Sequence, residues 1–403
     1  MQRGSPVRLP FSILHSPFSI QYNPPVVRCT VAHVDLDALQ ANYHSIEAYL
    51  ARQAPPGRQP PGIIAVVKAN AYGHGAGEVG RALEAAGARM LACADIEEGI
   101  ALRAAGGVGP ILVFGALSVS DLEGLFEYDL TPTCSTPAAG KALQAAAARH
   151  RRSLRYHLKI DTGLNRLGFR HDNLDRTLPE LFVSPNLACA AVYTHFATAD
   201  DPSHPLFEQQ RARFDDARER IAGMGMRPPV VHAANSAALL REPAAWFDFV
   251  RPGLLLYGVA PAAFASTLPL RPVLSLRSRV VAVKHIRAGE SVGYGSRFVA
   301  DGPRRIATVP AGYADGLDTR LADRGQVLVG GRRVPIVGAV SMDMLAIDAS
   351  SGPVYPGDEV VFLGEQGGER LTVSEMASAI GSIPYEVLCR LGSRIERVYS
   401  RGS

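Results

Sequence analysis

The stretch Ile63-Ile-Ala-Val-Val-Lys68-Ala-Asn-Ala-Tyr72-Gly-His-Gly75 sets five apolar residues directly against a lysine. An unbroken apolar run bounded by glycine reads as a strand buried on both faces, the kind parallel sheets use. Similar runs recur at Met90–Ala94, Ile111–Phe114, Leu154–Ile160, Leu187–Thr194, Val230–His232 and Phe247–Val250, with a weaker one at Thr131–Thr133. Helical patterns separate most of them, at Glu78–Ala86, Ile96–Ala105, Ala138–His150 and Phe207–Ala222. Eight strands with helical crossovers over roughly 200–250 residues is the arithmetic of a (β/α)8 barrel. Alternation alone would also suit an open doubly wound sheet. Beyond about residue 265 the texture changes to short Val/Ile-rich runs punctuated by Gly and Pro: Val280–His285, Arg305–Val309, Gln326–Val329, Val334–Val337, Met344–Ile347 and Glu359–Leu363. The expected fold is α/β, a TIM-type (β/α)8 barrel over residues 27–264 followed by a mainly β C-terminal domain over 265–403. A first strand near 27–37 is a candidate to pair with that second domain, and residues 1–26 read as a flexible extension.

The 403 residues are 47% hydrophobic and 20% charged, a globular composition sized for two or three domains. Net charge is +4, yet the densest basic cluster is only Arg151, Arg152 and Arg155, so no nucleic-acid partner is expected. No 18 consecutive apolar residues occur, so no membrane span is expected. The five cysteines are scattered and form no CxxC pair, which points to buried thiols in a reducing cytoplasm. Arginines before the apolar patch Phe11–Leu14 resemble the start of a secretory leader, but Pro10, His15 and Pro17 interrupt it. A cytoplasmic address is favoured, with export left open.

Only four lysines stand among the 42 basic residues: Lys68, Lys141, Lys159 and Lys284. At a solvated surface arginine serves as well, but it cannot replace an amine that must lose its proton and attack a carbonyl. Lys68, at the C-terminal end of a buried strand, would lie on a barrel's active-site face, where desolvation lowers an amine's pKa. An ordinary strand-end lysine extending into solvent is the plain alternative. Gly75-Ala-Gly77-Glu-Val-Gly80, with Asp95 after it, matches a dinucleotide-binding fingerprint. That fingerprint needs its first glycine directly off the strand, whereas Lys68 to His74 intervene here, so a nicotinamide cofactor is not expected. Asp200, Asp201 and His204 near His195 match no metal-ligand spacing, and no metal is expected.

The lysine segment resembles the cofactor-binding motif of the alanine racemases, pyridoxal-phosphate enzymes of fold type III. Further matches follow in family order through residues 30–400. They include Lys159-Ile-Asp-Thr-Gly-Leu-Asn-Arg166-Leu-Gly, Tyr193-Thr-His195-Phe-Ala, His232-Ala-Ala-Asn-Ser236 and Val250-Arg251-Pro-Gly253-Leu-Leu-Leu-Tyr257-Gly. Val292-Gly-Tyr294-Gly, Ala311-Gly-Tyr313-Ala-Asp-Gly, Ser341-Met342-Asp343 and Tyr385-Glu-Val complete the set.

The resemblance implies racemisation of L- and D-alanine by two acid–base groups, supplying D-alanine for peptidoglycan. Lys68 would carry pyridoxal 5'-phosphate and act on one face, and Tyr294 on the other. Tyr72, Ser236, Gly253, Leu254 and Tyr385 would hold the phosphate; Ser236 could equally be a helix N-cap. Arg251 would face the pyridine nitrogen, where a permanent cation discourages protonation, with His195 beside the ring helping to hold it. Taken alone, Arg251 could instead be a structural arginine paired with a carboxylate. Arg166 would meet the substrate carboxylate and stabilise the tyrosine's phenolate, and Lys159, carbamylated in some relatives, would orient it. Tyr294 and Met342 would enter from a partner subunit, making a homodimer with shared sites, while Tyr313 and Tyr385 narrow the entrance beside Asp343. Ser341 stands where many relatives have cysteine, and Asn165 departs from the family pattern. Alternatives are a broad-specificity racemase on the same scaffold, a non-catalytic pyridoxal-phosphate carrier and, distantly, a dehydrogenase.

Overall fold

A computed structural model of the chain describes residues 29–115 and 121–401. The expected extension at 1–26 lies outside the described residues. Eight parallel strands, each ending a stretch of buried apolar residues, form the first layer: β2 (Gly62–Val66), β3 (Met90–Cys93), β4 (Ile111–Val113), β5 (Thr131–Cys134), β6 (Leu154–Asp161), β8 (Leu187–Tyr193), β9 (Val230–Asn235) and β10 (Phe249–Arg251). Their order is β5-β4-β3-β2-β10-β9-β8-β6, and β5 pairs with β6, so the sheet closes on itself. The two-residue β7 (Phe169–Arg170) adds to the outer end of β6. The closed barrel excludes the open doubly wound alternative.

The second layer contains β1 (Val31–Asp35), β11 (Leu274–Arg279), β12 (Ala282–Ile286), β15 (Arg304–Val309), β16 (Gln326–Val329), β17 (Arg332–Val337), β18 (Leu345–Asp348), β19 (Glu359–Gln366), β20 (Glu369–Leu371) and β21 (Glu396–Ser400). A small hairpin, β13 (Ser291–Val292) and β14 (Phe298–Val299), projects beside it. β1 lies in this sheet, antiparallel to β11 and parallel to β21. The run expected at Val280–His285 is β12, and a strand not expected from the sequence, β11, comes directly before it. β11 follows β19 as far as Arg279, then the chain crosses over and β12 pairs with β15. The Val280 N–H bonding to Asp358 O and the Val281 N–H to Thr308 O mark the change of partner.

Helix Leu36–Gln53 leads from β1 into the barrel and carries the clamp that fixes the passage between layers. Asn42 is buried on it. Its Nδ2 donates to Leu256 O at 3.0 Å and Arg271 O at 2.8 Å, while its Oδ1 accepts from Arg271 N–H at 2.8 Å. The glycines of the discarded fingerprint also have packing roles. A side chain at Gly75, where φ is +96°, would strike the Tyr399 hydroxyl on β21, and one at Gly77 would strike Ala105. Asp95 is the N-cap of helix Ile96–Ala104, accepting from Glu98 N–H. The expectation of buried thiols fails in part: Cys93 and Cys134 are buried, Cys29 and Cys189 half-buried, and Cys389 exposed at a helix end. Among the described residues no helix is long and apolar enough to cross a membrane.

Asn42→Ala would leave three backbone groups without their partner, the buried Leu256 carbonyl among them, so unfolding in urea should show a loss of about 2–4 kcal/mol. A loss below about 1 kcal/mol would mean that other contacts hold the linker.

Candidate active site

The C-terminal ends of the barrel strands surround a cavity of ≈ 370 Å³ lined by Lys68, Tyr72, Lys159, Arg166, His195, Ser236, Arg251, Gly253 and Tyr385, among others. Four of its lining side chains are lysine or arginine and, among the described residues, none is acidic. A larger cavity of ≈ 1030 Å³ lies at the seam between the layers, but its charges pair with one another, Asp35 with Arg271 and Arg277 with Glu359. The smaller cavity is therefore the one that calls for an anion.

Arg251, at the end of β10, is buried and has no carboxylate partner among the described residues. Its Nη1 donates to His232 Nδ1 at 2.7 Å, and its Nη2 to the carbonyl oxygens of Thr194 and Ala233, each at 2.8 Å. This excludes the structural ion-pair reading. Because Nδ1 of His232 accepts, its Nε2 carries the proton and donates to His157 Nδ1 at 3.0 Å. Tyr193 stacks on His232 at 4.6 Å and lies under the guanidinium at 5.2 Å. Neutral acceptors thus support a cation whose pKa burial draws down to about 10. His195, two residues past β8, is 3.4 Å from Arg251 Nη2, a long contact, so His232 is the main ring support.

Sequence reasoning had given His232, His157 and Tyr193 no role. A signal was present on β6: Arg155, His157, Lys159 and Asp161 alternate with Tyr156, Leu158 and Ile160, so His157 and Lys159 share one face of the strand.

Lys68 stands at the mouth of β2. Burial lowers its pKa, and Arg166 lowers it further. Lys159 is drawn down to about 8 by burial, then by Arg166 and Arg251. The chain then enters an unusual turn: Ala69, Asn70, Ala71 and Tyr72 all have φ of 53°, left-handed in four successive non-glycine residues. Each costs roughly 1–2 kcal/mol relative to right-handed backbone. The turn carries Tyr72 to Gly253, where any side chain would meet the Tyr72 hydroxyl at 2.4 Å.

Ser236 Oγ accepts from Gly253 N–H at 2.9 Å. Ser236 is not the helix N-cap. Asn235 is, accepting from Ala238 N–H, and Ser236 opens the following helix. Leu254 is buried in the core, and it is the backbone there that adjoins Gly253. Tyr385, from the short helix Pro384–Cys389 of the second layer, stands 5.9 Å from the Tyr72 ring and closes the cavity. Arg166 reaches in from a loop in which Asp161 Oδ1 accepts from Gly163 and Asn165 N–H. Asn165 is left-handed at φ 56°, which accounts for an asparagine there.

Tyr294, Tyr313, Met342 and Asp343 do not line this chain's cavity. Tyr294 is 79% exposed, Met342 52% and Tyr313 46%. The Tyr313 and Ala314 N–H groups bond to Ser341 O and Met342 O, which locks those two loops together. Arg394 holds Asp343 at 2.6 Å. These residues form a surface patch on the second layer.

Residues 34–261 match the family model "Alanine racemase, N-terminal domain" and residues 273–399 match "Alanine racemase, C-terminal domain". The alanine racemase of Carboxydothermus hydrogenoformans is 42% identical over 372 residues, 91% of this chain and 98% of the relative. The crystal structure of alanine racemase from D-cycloserine-producing Streptomyces lavendulae superposes with a TM-score of 0.87 at 36% identity, covering 93% of this chain and 98% of that one. That from Bacillus anthracis, with bound L-Ala-P, gives 0.86 at 35% identity, covering 94% and 96%.

The buried imidazoles set an acid limit. Burial and Arg251 hold His157 near 3, burial holds His74 near 4, and His195 and His232 lie well below 6.5. Since these folded values are depressed, the unfolded chain takes up protons that the folded chain refuses. The stability they confer is complete above about pH 7 and falls below pH 6.5, by up to about 1.4 kcal/mol per pH unit for each ring. Melting temperature should drop steadily from pH 7 to 5; a flat profile would show that the rings charge within the fold.

Proposed function

The chain belongs to the alanine racemase family, whose members interconvert L- and D-alanine, and we propose that its Lys68 and Tyr294 are the two acid–base groups of that reaction. The observation that carries this reading is the basic, acid-free cavity at the barrel mouth, with a depressed amine at its centre. The donors present fit pyridoxal 5'-phosphate, the family's cofactor. The Tyr72 and Ser236 hydroxyls and the backbone at Gly253–Leu254 offer a phosphate cradle that a side chain at 253 would fill. Arg251 offers a fixed cation for the ring nitrogen, and Lys68 an amine for the aldehyde. When bound, the cofactor withdraws electrons from the amino acid's α-carbon and acidifies its C–H.

Each residue then has a defined task. Arg166 binds the substrate carboxylate in its planar fork. Lys68, whose pKa burial has lowered, takes or returns a proton at Nζ on one face. Tyr294 does so at its hydroxyl on the opposite face. Arg251 keeps its own charge and leaves the ring nitrogen no proton to share, which restrains side reactions. Lys159 lies 5.7 Å from the Tyr193 ring, where a carbamate on its Nζ would orient Arg166. Tyr313 and Tyr385 limit the side chain to something near a methyl group.

The exposure of Tyr294, Tyr313 and Met342 on one patch supports their delivery to the cavity of a second copy, making the active unit a homodimer. The scattered cysteines support a cytoplasmic enzyme supplying D-alanine for peptidoglycan.

Co-expression of Lys68→Ala and Tyr294→Phe chains tests the shared site. Each variant alone should be nearly inactive. The mixture should recover about a quarter of wild-type racemisation, since half the dimers are mixed and each of those has one intact site. Recovery of nothing would place both groups in one chain.

A further inference from the structure

The left-handed turn between Lys68 and Tyr72 links the two residues that must meet opposite ends of the cofactor. It contains no glycine to relieve the backbone, so something outside it must hold it. Backbone bonds in and around it are local: Ala71 N–H bonds to Val67 O, Gly73 N–H to Ala69 O and Gly75 N–H to Asn70 O. The Ala69 N–H, first in the turn, instead donates to Glu98 Oε1 at 2.6 Å. The other oxygen, Oε2, accepts from Ala94 N–H at 2.8 Å, just beyond the end of β3.

Glu98 occupies the third position of helix Ile96–Ala104, where a glutamate ordinarily reaches back to the backbone N–H of its own cap residue. Here the cap is Asp95, and the carboxylate passes it by to bridge two neighbouring barrel segments.

We propose that Glu98 is a positioning residue, whose carboxylate ties the left-handed turn to the end of β3 and so holds Lys68 and Tyr72 at the cofactor together. The carboxylate touches neither substrate nor cofactor. It acts through the Ala69 amide, and a two-oxygen acceptor is required because both ends are N–H donors. Glutamine keeps one acceptor and turns an NH₂ toward the other donor. Alanine keeps neither.

The inference rests on the reading of Lys68 as the cofactor lysine. That reading is judged on the wild-type chain, whereas Glu98 is judged by variants compared with it, so the two fail separately. Full-length wild-type, Glu98→Gln and Glu98→Ala chains are titrated with pyridoxal 5'-phosphate by absorbance, with hydrogen exchange followed at residues 69–75. The variants are expected to bind the cofactor on the order of ten- to a hundredfold more weakly and to exchange faster there. Adding Ala69→Gly and Ala71→Gly to either variant should recover most of the lost affinity, because glycine adopts φ near +53° without the penalty alanine carries. A general loss of folding would not be repaired by added glycines. Glu98→Gln serves if Glu98→Ala does not fold. Unchanged cofactor affinity in the glutamate variants, or a loss that the glycines leave in place, would overturn the assignment.

Discussion

The governing constraint is a concentration of positive charge in a cavity without acids. Lys68, Lys159, Arg166 and Arg251 converge on one barrel mouth, and among the described residues no aspartate or glutamate lines it. A protein tolerates such a cluster only if the charges are spread over neutral acceptors, drawn down in pKa, or met by an anion. The first two responses are visible here. Arg251 rests on a histidine and two carbonyl oxygens, and both lysines have lowered pKa values. In the function proposed above, the third is supplied by the phosphate of the cofactor and the carboxylate of the substrate. The lowered imidazoles have burial as their first cause, and Arg251 adds to it at His157, His195 and His232.

Backbone geometry turns that charge into chemistry. A barrel delivers side chains to its C-terminal face on rigid strand ends. The proposed function needs Lys68 and Tyr72 both there, yet they are only four residues apart, and a right-handed turn would send the chain elsewhere. The left-handed turn, braced from helix Ile96–Ala104 and from β21 through Arg397 to Gly73 O, resolves this locally. The second layer serves two sites in this account: Tyr385 closes the cavity of its own chain, and the Tyr294 patch is offered outward to another.

Much of the architecture was legible because parallel barrel strands, buried on both faces, are continuous apolar words. Each expected barrel strand lies within a few residues of its place. β11 and β21 are harder to read, since Leu-Ser-Leu-Arg-Ser-Arg and Glu-Arg-Val-Tyr-Ser carry polar residues on alternate positions and gain their stability from distant pairing. At the site, residue types were readable but their partners were not. Nothing local distinguishes His232 from His195 as the support of Arg251, or Asn235 from Ser236 as the cap. The left-handed turn was hidden for a plain reason: Ala-Asn-Ala-Tyr looks like ordinary helix, and only its backbone angles in the structure reveal otherwise.

The central claim is that Lys68, alone among four lysines, is the amine covalently joined to pyridoxal 5'-phosphate. Borohydride reduction of the cofactor-loaded protein, followed by peptide mass mapping, addresses it directly. The account predicts a single pyridoxyl label on the peptide containing Lys68. A label on Lys159, Lys141 or Lys284, or no stable label at all, would contradict it.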